Sequence, residues 1–133
     1  MNEATVDRLR AHGIQASAQR VAVADYVLFT DEHPSAEQVY QRVRGSLPVL
    51  SKATVYNTLN LLVRTGLLRE LALAEGHVVF DPRVEPHHHF VDDRTGEVRD
   101  LPWDAVDVGR VAPIPGYRIR ELQVVLRGTR DAG

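Results

Sequence analysis

Ser51-Lys52-Ala53-Thr54-Val55-Tyr56-Asn57-Thr58-Leu59-Asn60-Leu61-Leu62-Val63-Arg64-Thr65-Gly66 is the stretch from which the fold can be read. Ser51 is suited to cap a helix, because its hydroxyl can accept from backbone N–H groups of the first turn. Gly66 is suited to end that helix, since glycine is favoured just beyond a C-terminus. Val55, Leu59, Leu62 and Val63 recur at helical spacing and form an inner face. Lys52, Tyr56 and Asn60 are spaced by four on the opposite side, with Asn57 beside them. A helix of this length with an apolar back and a polar, partly aromatic front is built to touch something other than its own core.

Reading upstream, Gly45 to Pro48 make a turn, and Ser35 opens a preceding helix with Ala36, Val39, Tyr40 and Val43 on one face. Glu37 and Gln38 stand in its first turn, where acidic and amide side chains suit a helix N-terminus. His33-Pro34 breaks the chain before it, because the residue ahead of proline avoids the helical region. Ser17 caps an earlier helix carrying Val21, Ala24, Tyr26, Val27 and Leu28, and a first short helix around Val6, Leu9 and Arg10 stops at Gly13. Downstream, Leu67–Leu73 and His77–Phe80 read as strands joined by Ala74-Glu75-Gly76. Helix, turn, polar-faced helix and hairpin together make a winged helix-turn-helix.

After Pro82 the pattern turns to strands: Glu85–Asp92 and Glu97–Leu101 across Asp93-Arg94-Thr95-Gly96, then a short helix over Trp103–Val111 and a long strand through Tyr117 to Leu126. The spacing predicts an α+β protein: a winged-helix domain over 1–82 and a small α/β domain over 83–133, with Thr129–Gly133 as a frayed tail. A unit of this size buries too little surface alone, so it calls for a partner chain or a metal.

Of 133 residues, 44% are hydrophobic and 26% charged, which excludes wholesale disorder. No apolar run approaches membrane-spanning length and the N-terminus lacks signal-peptide character, so a soluble cytoplasmic protein is expected. There is no cysteine, which excludes disulfides, thiolate zinc sites and a cysteine nucleophile. The net charge of −2 conceals a local feature. From Gln38 to Arg69 the chain holds Arg42, Arg44, Lys52, Arg64 and Arg69 and no acid, a footprint suited to phosphate.

The sharpest chemical feature is Pro86-His87-His88-His89-Phe90. On a strand His87 and His89 share a face and His88 points away. Asp81, Asp100 and His33 can converge on that pair, and such nitrogen and oxygen donors suit Fe(II), Mn(II) or Zn(II). A solvated strand end is the plain alternative. His12 and His77 are isolated and read as surface residues, and Trp103 as core or interface.

Taken together, His33-Pro34-Ser35-Ala36, Ser51 to Leu59, Gly66-Leu67 and the run from His87 to Asp100 resemble the ferric uptake regulator superfamily, nearest its peroxide-sensing PerR branch. The resemblance covers about residues 3 to 128. It implies a regulatory metal site of His33, Asp81, His87, His89 and Asp100, holding one divalent ion per subunit: Fe(II) or Mn(II) in function, with Zn(II) acceptable as purified. Asp100 and Asn57 resemble the peroxide-sensing branch rather than the iron regulators. The family's structural zinc site, made of two Cys-x-x-Cys pairs, is absent: Asp92 and Thr95 stand where the first pair falls, and the second has no counterpart. A second site of some members is also broken, with Pro86 and Leu122 in place of histidines beside His88 and Asp107.

The resemblance further implies a metal-dependent transcriptional repressor, not an enzyme, acting as a homodimer on a palindromic A·T-rich operator. Arg20, Lys52, Thr54, Tyr56, Asn57 and Asn60 would contact DNA, with Arg42, Arg44, Lys52 and Arg64 against phosphates and Arg20 in the minor groove. His33 and His87 would be the residues oxidised when peroxide meets Fe(II). Two regulators remain as alternatives: an iron, manganese or zinc homeostasis regulator using the same site without oxidation, and a haem-responsive, Irr-like one.

Overall fold

A computed structural model describes residues 2–74 and 77–131. The chain folds as two compact units, Met1–Val84 and Glu85–Gly133.

The first unit contains α1 (Glu3–Ala11), α2 (Ala18–Val27), α3 (Ala36–Arg44), α4 (Lys52–Arg64), β1 (Arg69–Ala74) and β2 (His77–Asp81). Each expected cap is present. The Ser17 hydroxyl accepts from Arg20 N–H, Ser51 accepts from Thr54 N–H, and Ser35 with Gln38 forms a reciprocal capping box. Leu9, Val27, Val39, Val55, Leu59 and Leu62 are fully shielded at the centre of one apolar cluster. Each such side chain contributes about 1.5–3 kcal/mol relative to exposure. On α4 the buried set is Val55, Thr58, Leu59 and Leu62, while Val63 is only partly covered. Thr58 is tolerated inside because its hydroxyl donates to the Thr54 carbonyl at 2.7 Å.

Gly66, at φ +82°, turns the chain out of α4, with Leu67 N–H returning to the Leu62 carbonyl at 3.0 Å. β1 and β2 then pair antiparallel from Arg69↔Asp81 onward, with a register shift between Ala72 and Ala74. Of the expected Ala74-Glu75-Gly76 connection, Glu75 and Gly76 lie outside the described residues.

The second unit is a three-stranded sheet of order β4-β3-β5, comprising β3 (His88–Asp92), β4 (Val98–Leu101) and β5 (Val125–Gly128). β3 is central, antiparallel to β4 and parallel to β5. Three expectations are corrected here. The first strand begins at His88 rather than Glu85, because Pro86 cannot donate to a ladder. The helix expected over Trp103–Val111 is a single 3-10 turn, Trp103–Ala105. Beyond it the Asp107 carboxylate accepts from Gly109 N–H at 2.9 Å, and Gly109 takes φ +67°, closing a local turn that competes with helix. The long strand from Tyr117 shrinks to Val125–Gly128, with Tyr117 and Ile119 in irregular chain. Of the expected frayed tail, Ala132 and Gly133 lie outside the described residues.

The apolar interior of this unit is thin: Val91 and Val98 are buried, but so are His87, His88 and His89. Ile114, Tyr117, Ile119 and Leu126 stay 53%, 80%, 47% and 43% exposed.

Candidate metal centre and nucleic-acid interface

Two groups of imidazole and carboxylate, one in each unit, carry the expected ligands. In the first unit His33 precedes α3 and Asp81 ends β2. Phe80 N–H donates to the Pro34 carbonyl at 2.9 Å, fastening the strand to the loop that carries His33. His33 Nε2 then lies 3.2 Å from Asp81 Oδ2, with both side chains about 2% exposed. Asp81 Oδ1 accepts from Arg83 N–H at 2.9 Å, which orients the carboxylate. His33 is the one non-glycine with positive φ (+53°) among the described residues. Such a backbone costs about 1–3 kcal/mol, and it stands at a position whose side chain is aimed at a buried acid.

In the second unit the β3–β4 register sets His89 opposite Asp100. His87 Nε2 and His89 Nε2 lie 3.1 and 3.4 Å from the same atom, Asp100 Oδ1, and the two rings are 4.6 Å apart. The other ring nitrogen of each is committed: His87 Nδ1–H donates to the Glu85 carbonyl at 2.7 Å, and His89 Nδ1–H to Gln123 Oε1 at 3.0 Å. These bonds leave a neutral ring's Nε2 lone pair facing the carboxylate. Imidazoles held through Nδ1 with Nε2 converging on a carboxylate are the donor arrangement a divalent metal uses. Within each unit, the His33–Asp81 pair and the His87/His89–Asp100 group accordingly offer nitrogen and oxygen donors of the kind a divalent metal takes.

His88 turns away, as strand alternation requires. Its Nδ1 accepts from Val124 N–H at 2.9 Å and its ring stacks on Trp103 at 4.5 Å. Gln123, the Glu85 carbonyl and this His88 bond were missed from sequence. Gln123 lies 34 positions from His89, and no local pattern marks so distant a partner. His12 and His77 are exposed. Asp107, the other survivor of the second family site, is exposed and engaged with its own turn.

On α4, Lys52, Tyr56, Asn57 and Asn60 are exposed, Tyr56 by 48%, and Thr54 is partly covered, its hydroxyl 2.9 Å from that of Ser51. Arg20 is held by a bond from Nη1 to the Gln15 carbonyl at 3.1 Å. The stretch from Gln38 to Arg69 is free of acids in sequence but not in space. Glu32 lies 3.7 Å from Arg42, and Glu37 lies 3.2 Å from Lys52.

A winged helix with an exposed polar recognition face, joined in one chain to buried His/Asp donors, defines a metal-dependent DNA-binding repressor. The chain belongs to the ferric uptake regulator family, whose profile matches residues 11–124. It is 26% identical over 125 residues to the peroxide operon regulator of Bacillus subtilis strain 168, covering 92% of this chain and 86% of that protein. Against the peroxide-responsive repressor PerR of Staphylococcus aureus strain Mu50 it is 30% identical over 101 residues, 76% of this chain and 68% of that one. A manganese-bearing ferric uptake regulator structure from Pseudomonas aeruginosa superposes with TM-score 0.67 at 25% identity, covering 93% and 96% of the two chains. Proteins of this family are transcriptional regulators, not enzymes.

Proposed function

We propose that this repressor is a peroxide sensor whose regulatory site is a single divalent ion held by His33, Asp81, His87, His89 and Asp100. The observation that carries the reading is the pair of Nε2 atoms directed at Asp100 Oδ1, with both Nδ1 atoms already committed. His33 and Asp81 belong to the DNA-binding unit and the other three residues to the second, so sharing an ion would favour one relative arrangement of the two. Metal binding and DNA binding are then reciprocally linked, commonly by about 1–3 kcal/mol. Iron, when bound, supplies the chemistry by which peroxide oxidises a neighbouring histidine. The chain's own part is to hold His33 and His87 as ligands within reach of that chemistry, with no cysteine to intercept the oxidant.

On DNA, Tyr56, Asn57 and Asn60 enter the major groove from α4, assisted by Thr54, while Arg42, Arg44, Lys52 and Arg64 meet phosphates and Arg20 reaches the minor groove. The operator is a palindromic, A·T-rich duplex read by a homodimer, consistent with the apolar surface left exposed on the second unit. The setting is the cytoplasm; among the described residues no helix is long and apolar enough to cross a membrane.

Fe(II)-loaded protein treated with peroxide should gain one oxygen atom on a peptide containing His33 or His87 and release DNA. Intact histidines with unchanged DNA binding would eliminate peroxide sensing and leave a metal-homeostasis regulator using the same ligands.

A further inference from the structure

The acids facing the basic stretch supply an inference that rests on, and goes beyond, the reading of Lys52 as a phosphate contact. Lys52 is the first residue of α4, and its Nζ lies 3.2 Å from Glu37 Oε2 on α3. The other carboxylate oxygen is also engaged: Gln41, one turn further along α3, donates from Nε2 to Glu37 Oε1 at 3.0 Å. Beside this pair, Lys52 Nζ and the Arg44 guanidinium lie 5.5 and 5.4 Å from the centroid of the Tyr40 ring. The carboxylate therefore pairs with Lys52, and that ammonium and the Arg44 guanidinium gather on one aromatic side chain of α3.

We propose that Glu37 is an internal stand-in for a DNA phosphate, holding Lys52 in its binding position and obliging DNA to displace the carboxylate. Gln41 fixes the carboxylate so that Lys52 is pre-oriented rather than solvated at random. The pair is exposed, 57% for Lys52 and 48% for Glu37, so it is weak enough for a phosphate to displace. The Glu37 carboxyl is held below its usual range by the Gln41 hydrogen bond first and Lys52 second, so it is anionic wherever the protein works. The effect is to subtract from backbone affinity that carries no sequence information, which raises discrimination in favour of the operator.

The test is a double-mutant cycle on the metal-loaded full chain, with Glu37→Gln, Lys52→Gln and the double variant. Affinity is measured for a random-sequence duplex and an A·T-rich duplex across a salt series. Glu37→Gln should tighten binding to both by about two- to fivefold, the range of an exposed ion pair. It should also steepen the slope of log affinity against log salt by up to about one. Both effects should shrink in the Lys52→Gln background. No change on Glu37→Gln, or the same change in both backgrounds, overturns the proposal. An unchanged affinity for Lys52→Gln alone overturns Lys52 as a phosphate contact, and the proposal with it. If the metal-loaded wild-type chain bound neither duplex, the DNA-binding reading itself would fail.

Discussion

At the scale of single residues, the candidate ligands are oriented by bonds made on the side away from Asp100. His87 and His89 each give their Nδ1–H to an oxygen, and that choice determines which nitrogen faces Asp100. The triplet and its carboxylates were legible because histidine at alternate positions of a strand is a pattern of one short segment. Gln123 was not, since it reaches His89 from irregular chain ahead of β5. Removing it should loosen the ring without removing a ligand: Gln123→Ala should weaken Mn(II) binding by about 10- to 100-fold in a chelator competition, with the fold intact. Unchanged affinity would show that the ring is oriented by packing alone.

At the scale of elements, the four helices were legible because Ser17, Ser35 and Ser51 announce three of them and apolar residues at helical spacing set their inner faces. Ser51→Ala should cost about 0.5–2 kcal/mol in thermal or denaturant unfolding, since the Thr54 N–H loses its acceptor at the start of α4. The second unit was harder to read. There the Val124 N–H, which a longer strand would have given to a backbone carbonyl, goes to His88 Nδ1. The β3–β4 turn is pinned by Asp92, whose Oδ1 accepts from Arg94 N–H at 2.8 Å and Thr95 N–H at 3.3 Å. These bonds stand where the family places its first zinc-binding cysteine pair. The Arg94 backbone bond foremost holds the Asp92 carboxyl below its ordinary value. A depressed carboxyl contributes stability that is present above the unfolded pKa of about 3.9 and is lost as pH falls through the folded value. Metal-free Asp92→Ala should therefore melt lower at neutral pH and lose less on further acidification than the parent. Parallel pH profiles for the two proteins would mean that the turn does not depend on the carboxylate.

At the scale of the whole molecule, the two units divide the work as their compositions suggest. The first has a full apolar core. The second buries three imidazoles beside very little hydrocarbon and leaves Ile114, Tyr117, Ile119 and Leu126 in contact with solvent. A partner chain would cover that surface, and a cation would offset the carboxylate among the imidazoles. The change of periodicity after Pro82 lies close to where the first unit gives way to the second. The small sheet's irregular 106–124 connection could not be read from the sequence, because its course is set by Asp107, Gly109 and distant contacts rather than by period. The central claim is that one ion is shared by ligands from both units. It is tested most directly by titrating Mn(II) into the metal-free wild-type chain and into His33→Ala and His89→Ala. One ion per chain in the wild type, with affinity falling by at least about 100-fold in each variant, is the predicted result, given that outer-sphere changes alone cost about 10- to 100-fold. Undiminished affinity in His33→Ala, with loss confined to His89→Ala, would contradict it.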